Sequence, residues 1–534
     1  MNRYKKLAAT ILSASLLAAA LAGCASNGAE SGSNAGSGKN VFHYSVQVSV
    51  PDNIDPINST DSGRLKFIRN TYETLVQEKA GTVEIEPLLA ESWEIVDPKT
   101  WTFKLREGIT FTDGSEFNAD AVQYSIERIK AVGGGISGLV ANIEAVEVAD
   151  PRTVTIRLVN DDVNFLYSLA KIAIVSPTAV KAHEKDNDYG KSWLAKNSAG
   201  TGPYQVSEWA EGQHATLKRY DGYWRGWKDG QIDEITIQGV PDAATDIQLL
   251  DRGEIDKLEV SITDSLDLLE KNDNLDILKG NALQTYIFTF NTSKAPLNNK
   301  KVRQAISFAF DYKAVADKVY SGYAVVPRGF LPEGFDGFDE TIPEQTRDIE
   351  KAKLLLQESG EKVDSLDLYV YEGRPDQTTG AQILQDNLRE LGITLNIKNV
   401  SWQTLVEANI KGDSAPDMSA LNMGAFTGDA IFFLQQNFDS KNIGQPYNWS
   451  FYKNDQFDAV VRKAASTVDK EERNKLLAEA QHILVDEAPA LYWASPSKVE
   501  AINNRFKGYV LHPLDYFHSI RFYDLTTGAK DANG

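Results

Sequence analysis

Six histidines, His43, His183, His214, His482, His512 and His518, are spread over 534 residues. No two stand four apart, so no helix turn offers a histidine pair to a metal ion. Neither a His-Glu-x-x-His helix nor a Gly-x-Ser-x-Gly elbow occurs, which removes two common hydrolytic centres. His482 falls on a long helical pattern and reads as an ordinary surface or core residue. His512 and His518 flank Pro513-Leu514-Asp515-Tyr516-Phe517, which has the residue types of a ligand shell. Gly38-Lys39 has the end of a phosphate-loop pattern. However, Ser33 stands where its first glycine belongs, and Asn40 replaces the Ser/Thr that would reach magnesium. No resident metal or cofactor is expected. Acidic residues are abundant, which leaves a glycosidase-type carboxylate pair open.

The one cysteine is Cys24. It excludes an internal disulfide, a cysteine metal site and a cysteine nucleophile in the folded body. Arg3, Lys5 and Lys6 precede an apolar run at 7–22, too short for the roughly 20 residues of a comfortable membrane span. Leu21-Ala22-Gly23-Cys24 then reads as a lipobox. The segment resembles bacterial lipoprotein signal peptides, in which the cysteine becomes the lipidated first residue. Residues 1–23 are thus the expected signal peptide and 24–40, rich in Gly, Ser and Asn, a lipid-anchored flexible tether. A net charge of −20 repels nucleic acid and anionic membrane surfaces.

The elements beyond residue 40 are α/β. Trp93 and Ile95, an Asp97-Pro98 turn, then Trp101, Phe103 and Leu105 spell one hairpin. Val146 and Val148, Asp150-Pro151, then Val154, Ile156 and Leu158 spell another. Asn118 is placed to cap a helix carrying Val122, Ile126 and Ile129. Later, Lys301–Val319 reads as one helix. Ile349–Glu358, Gln382–Leu391 and Lys470–Asp486 are further helices. Strands are expected at Thr394–Ile397 and Ala490–Trp493, the first completing a β–α–β pattern.

An ordered set of short blocks runs through this body. It includes Tyr72-Glu73-Thr74-Leu75-Val76, Leu88–Trp93, Phe103–Gly108, Phe111-Thr112-Asp113-Gly114, Gly200-Thr201-Gly202-Pro203-Tyr204, Tyr223-Trp224, Gly253–Asp256 and Val302-Arg303-Gln304-Ala305. The set resembles the oligopeptide, dipeptide and nickel family of solute-binding proteins, family 5, over nearly all of 41–520. Each block also has a structural reading. Trp93 and Trp101 read as hairpin packing, Arg106 as an ion-pair partner, and Gly200–Pro203 as a close backbone crossing. The resemblance implies a periplasmic-binding-protein-like type II clamp with two lobes. The first lobe would be 41–85 with 200–290 and 500–534, the inserted extra domain 86–199, and the second lobe 291–499. Hinge strands would lie near Ile287–Asn291 and Leu491–Pro496.

The resemblance also implies ligand contacts. In dipeptide-binding relatives an Arg-Pro-Tyr segment supplies the arginine that holds the ligand carboxylate. Gly373-Arg374-Pro375-Asp376 resembles it, with Asp376 in place of the aromatic residue. Many relatives then carry Gly-Trp-x-x-Asp-x-x-Asp-Pro, whose first Asp takes the peptide amine. Here Met423 stands at the Trp, Phe426 at the first Asp and Asp429 at the second. Either Asp376 or another acid serves the amine, or the ligand has none. The function implied is a non-enzymatic, monomeric substrate-binding lipoprotein. It would sit at the outer face of the cell membrane and deliver a small molecule, foremost a peptide, to ABC permease subunits. Nickel–chelator, opine-like and oligosaccharide cargoes, a peptide-presenting sensor and an enzyme are the alternatives.

Overall fold

Alternating side chains around an Asp-Pro turn build both expected hairpins. Ala90–Asp97 pairs with Thr100–Leu105, and Ile143–Asp150 with Thr153–Leu158. The two inner strands pair with each other and close a four-stranded antiparallel sheet. Between the hairpins, Asn118 accepts the Ala121 N–H and caps the helix Ala119–Val132. Val122, Ile126 and Ile129 bury its apolar face in one core with Trp101, Phe103 and Ile156. At about 25 cal/mol per Å² of apolar surface, this burial holds the element together.

The structure is a computed structural model. It describes residues 39–47, 50–59, 62–260, 266–410, 412–444, 448–514 and 520–528. Cys24, the tether up to residue 38 and His518 lie outside the described residues. A larger sheet has two halves. In the first half, Val41–Gln47 runs parallel to Glu234–Val240, which continues antiparallel into His214–Arg219 and then Tyr204–Ala210. In the second half, Ser365–Tyr371 lies parallel to both Thr394–Val400 and Met418–Gly424. Met418–Gly424 in turn pairs antiparallel with Gln284–Phe290.

One 14-residue strand, Ala490–Asn503, belongs to both halves. Its first residues pair with Gln284–Phe290, and its last with Leu275–Asn281 and Lys257–Glu259. The chain therefore crosses between halves near 281–284 and near 494–497. The first crossing precedes the expected 287–291, because Gln284–Phe290 is already wholly paired within the second half.

Three sequence expectations shift. The helix expected over 301–319 is two helices, Lys300–Ala309 and Tyr312–Lys318, because Asp311 breaks the run and accepts the Ala314 N–H as a cap. The helix expected from Gln382 begins at Pro375, where proline suits the first helical position. Among the described residues Arg106 has no ion-pair partner: its Nε donates to the Leu88 carbonyl at 2.6 Å and its guanidinium lies over the Trp224 ring.

Two features fix the first half to the four-stranded sheet. A Cβ at Gly200 would sit 2.2 Å from the Thr71 carbonyl oxygen, so only glycine permits that crossing. Arg128, on the capped helix, donates two bonds to Asp55, at 2.9 Å and 2.5 Å, with both side chains essentially sealed from water. Asp55 also accepts the Ile57 N–H and so shapes the turn Pro56–Asn58.

Candidate functional site

Three parallel strands of the second half end side by side at Tyr371, Val400 and Gly424. In open α/β sheets, the loops beyond such carboxyl ends are where ligands bind. Every ligand-contact residue expected from sequence lies on or beside the first or third of these loops.

The first loop delivers Arg374 as the N-cap residue of the helix Pro375–Arg389. Its Nε donates to Asp376 Oδ1 at 3.0 Å and its Nη2 to Asp376 Oδ2 at 2.7 Å. Nη2 also reaches the Tyr286 hydroxyl at 2.9 Å, and the guanidinium lies 5.2 Å from the centre of the Tyr286 ring. With its amide oxygen turned inward, Asn422 accepts from both terminal nitrogens at 2.6 Å. Tyr320 donates its hydroxyl to Asp376 Oδ2 at 2.9 Å. Burial pushes the Asp376 carboxyl up, but the bonds and charge of Arg374 and the Tyr320 hydroxyl outweigh it, and the net shift is downward. The Arg374 and Asp376 side chains keep 28% and 19% of their surface in solvent. The resemblance put a ligand carboxylate on Arg374; in the structure Asp376 holds that fork.

The second loop carries Trp402, 46% exposed, edge-on to Tyr371 with ring centres 6.0 Å apart. The third strand carries Met423 just before its end, and the loop beyond it carries Phe426 and Asp429. Met423 is only 3% exposed and belongs to the core of the second half. Phe426 packs against the core of the four-stranded sheet and lines a small cavity with Ser59, Tyr72 and Lys171. A Cβ at Gly428 would meet Val83 at 2.4 Å, so the loop passes close against the first half. Asp429 caps the helix Ala430–Phe438, accepting from Ile431 N at 2.8 Å, and accepts from Asn164 Nδ2 at 2.6 Å. Nearby, Val163 N donates to the Ala465 carbonyl. Burial pushes the Asp429 carboxyl up to about 6. Burial, with the Asp429 charge added, pushes Asp162 up to about 7.

The third loop is therefore one place where the second half touches the rest of the molecule. Beside it lies a cavity of about 560 Å³ lined by Val83, Glu84, Tyr167, Lys279, Asn281 and Phe335, among others. None of the five expected site residues lines that cavity. Sequence reasoning missed Tyr286, Tyr320 and Asn422, which reach Arg374 and Asp376 from distant segments with no local signal. Trp402 had a usable signal, since it follows the strand Thr394–Val400 and the helix cap Ser401. Among the described residues, no group of three or more His, Cys, Asp or Glu could hold a metal ion. No helix among them is long and apolar enough to cross a membrane.

Two sheet halves sharing one long strand, with the Phe426–Asp429 loop packed across the seam, define a two-lobe binding-protein clamp. The chain belongs to the bacterial extracellular solute-binding proteins, family 5, whose "family 5 Middle" model matches residues 84–445. The probable D,D-dipeptide-binding periplasmic protein DdpA of Escherichia coli is 30% identical over 474 residues, covering 87% of this chain and 90% of the relative. Heme-binding protein A of Haemophilus influenzae is 30% identical over 492 residues, covering 86% and 88%. Among solved structures, HbpA2 from Haemophilus parasuis superposes with a TM-score of 0.83 at 26% identity, covering 92% of this chain and 100% of that one. The periplasmic binding protein DppA from Helicobacter pylori, in complex with the peptide STSA, gives 0.74 at 27% identity, covering 92% and 98%.

Proposed function

We propose that this protein is the substrate-binding lipoprotein of an ABC importer, and that its cargo is a peptide clamped between the two lobes. The observation that carries the reading is that the carboxyl-end loops of the second half carry Arg374, Asp376, Phe426 and Asp429, with the Phe426–Asp429 loop packed against the four-stranded sheet and Asn164. Relatives named for dipeptides, and a similar fold holding a tetrapeptide, support the choice of cargo. The lobes are assigned as 41–85 with 200 to about 282 and about 496–534, and as about 283–495, with 86–199 as the inserted domain; the boundary expected at 290/291 moves back because Gln284–Phe290 pairs within the second half. Met423 supports the third loop from the core. The protein works as a monomer, catalyses nothing and hands its cargo to membrane permease subunits.

Native mass spectrometry of the purified protein, followed by calorimetry with the recovered compound, tests the cargo. A peptide is expected, and at a hundredfold excess over Kd it should stabilise the protein by about 2.7 kcal/mol. Recovery of a saturating non-peptide compound would overturn the peptide assignment. The anchor is assigned to Cys24. Cys24→Ala should move the protein from the membrane fraction to the soluble or released fraction, and unchanged membrane retention would remove the anchor.

A further inference from the structure

We infer that the Arg374–Asp376 pair makes the loop beyond Tyr371 select ligands that place an uncharged amide or hydroxyl there, and reject those that place a carboxylate there. This rests on the peptide-binding reading above and adds the chemistry of one ligand end. A carboxylate binds arginine best through two parallel N–H donors. At Arg374, Nε and Nη2 form such a fork, and both already donate to Asp376, at 3.0 Å and 2.7 Å. The terminal nitrogens are further engaged by Tyr286 and Asn422. Asp376 thus sits where a ligand carboxylate would sit.

The pair is not easily opened. Only Pro375 separates its members, and Asp376 is fixed in the first turn of a helix and by the Tyr320 hydroxyl. A second carboxylate would have to approach Arg374 alongside Asp376, with like charges at contact, and such juxtaposition is strongly disfavoured. The downward shift at Asp376 keeps that charge in place at neutral pH. The pair nonetheless remains partly open to solvent. A neutral group meets no such penalty: its N–H or O–H can donate to the lone pairs Asp376 has left, and its oxygen brings no charge.

The test uses the full chain and two kinds of probe. One is sodium acetate against acetamide at constant ionic strength, read by thermal shift. The other is a pool of N-acetylated tripeptides made both as free acids and as carboxamides, read by affinity-selection mass spectrometry. The wild type should enrich carboxamides over free acids by about tenfold or more and show no stabilisation specific to acetate. Asp376→Asn should reverse the enrichment and gain acetate stabilisation. Asp376→Ala should do the same, so a folding failure in one variant leaves the other to decide. Enrichment of free acids by the wild type, or an unchanged ratio in both variants, would overturn the inference. An unchanged ratio with only a shifted melting temperature would mean that the pair merely braces the helix start. If the wild type retains neither peptide form, the peptide cargo falls and the acetate arm decides alone. Acetate that stabilises the Asp376 variants but not the wild type then supports the inference, and equal responses overturn it.

Discussion

Two bidentate Arg–Asp pairs in this molecule have opposite settings, Arg128 gripping Asp55 end-on through both terminal nitrogens and Arg374 gripping Asp376 side-on through Nε and Nη2. Arg128–Asp55 joins residues far apart in sequence and is sealed, with 1% and 0% of the two side chains in solvent. Arg374–Asp376 joins residues two apart and stays partly open to solvent at a carboxyl-end loop of the second half. Burial sets what each pair does. A sealed pair cannot exchange partners with water, so it serves as a tie between the turn Pro56–Asn58 and the helix Ala119–Val132. A half-open pair can present its remaining lone pairs to whatever enters. The same two residue types thus tie two parts of the molecule together in one place and leave a partly exposed charged pair in the other.

Breaking each pair should separate these roles. Asp55→Asn leaves Arg128 buried without its counter-charge, and should cost about 3–5 kcal/mol in urea unfolding. A loss below about 1 kcal/mol would place the sealed pair in the same class as the open one.

A like-charged pair at the seam sharpens the contrast. Asp162 and Asp429 are both pushed up from 3.8, by burial and, for Asp162, by the neighbouring charge. The folded state therefore holds more protons than the unfolded one between about pH 4 and pH 7, and stability should fall as pH rises through that window. The pair titrates as a unit, so the effect belongs to both residues. Asp162→Asn keeps an acceptor for the Asn164 N–H, removes one charge, and should raise stability at pH 8 by about 1–2 kcal/mol while flattening the profile. Thermal melts across pH 4–8 would check it, and an unaltered slope would remove the pair from the seam's energetics.

Asp376→Asn should cost about 1 kcal/mol or less in the same urea assay, because solvent and the Tyr286 and Asn422 partners remain. A loss equal to that of Asp55→Asn would erase the distinction between the pairs. Smallest of all, Arg157→Ala removes a fully surface pair with Glu147 on the four-stranded sheet, and calorimetry should find the melting temperature unmoved.

The sequence made local structure readable where the signal was itself local. Both hairpins announce themselves through period-two alternation around Asp-Pro, and the Asn118 cap through its position ahead of Val122 and Ile126. The run 301–319 misleads because Ala305, Ile306 and Ala309 keep helical spacing up to the break, while the cap at Asp311 is a single residue. Pro375 opens its helix earlier than expected, because Asp376 to Gly380 offers little apolar periodicity. At the site, Arg374 and Asp376 were legible as polar residues of one short segment. Their mutual bond was not, nor were Tyr286, Tyr320 and Asn422, since partners supplied by other strands leave no mark near residue 374. Phe426 was read as a missing acid. Its packing against the four-stranded sheet depends on how the lobes meet, which periodicity does not encode.

The strand Ala490–Asn503 sets the order in which the protein can become complete. Val41–Gln47 is among the first segments synthesised, yet its neighbour Lys257–Glu259 gains its other partner only from residues 500–502. The same late strand finishes the sheet of the second lobe at Gln284–Phe290. Pairings this distant form slowly and only once both partners are present. For a chain exported amino terminus first, neither lobe can close its sheet until residues near 500 have emerged on the far side. The four-stranded sheet at 90–158 closes from local strands, whereas both halves of the larger sheet wait on this one late segment and are completed by it together.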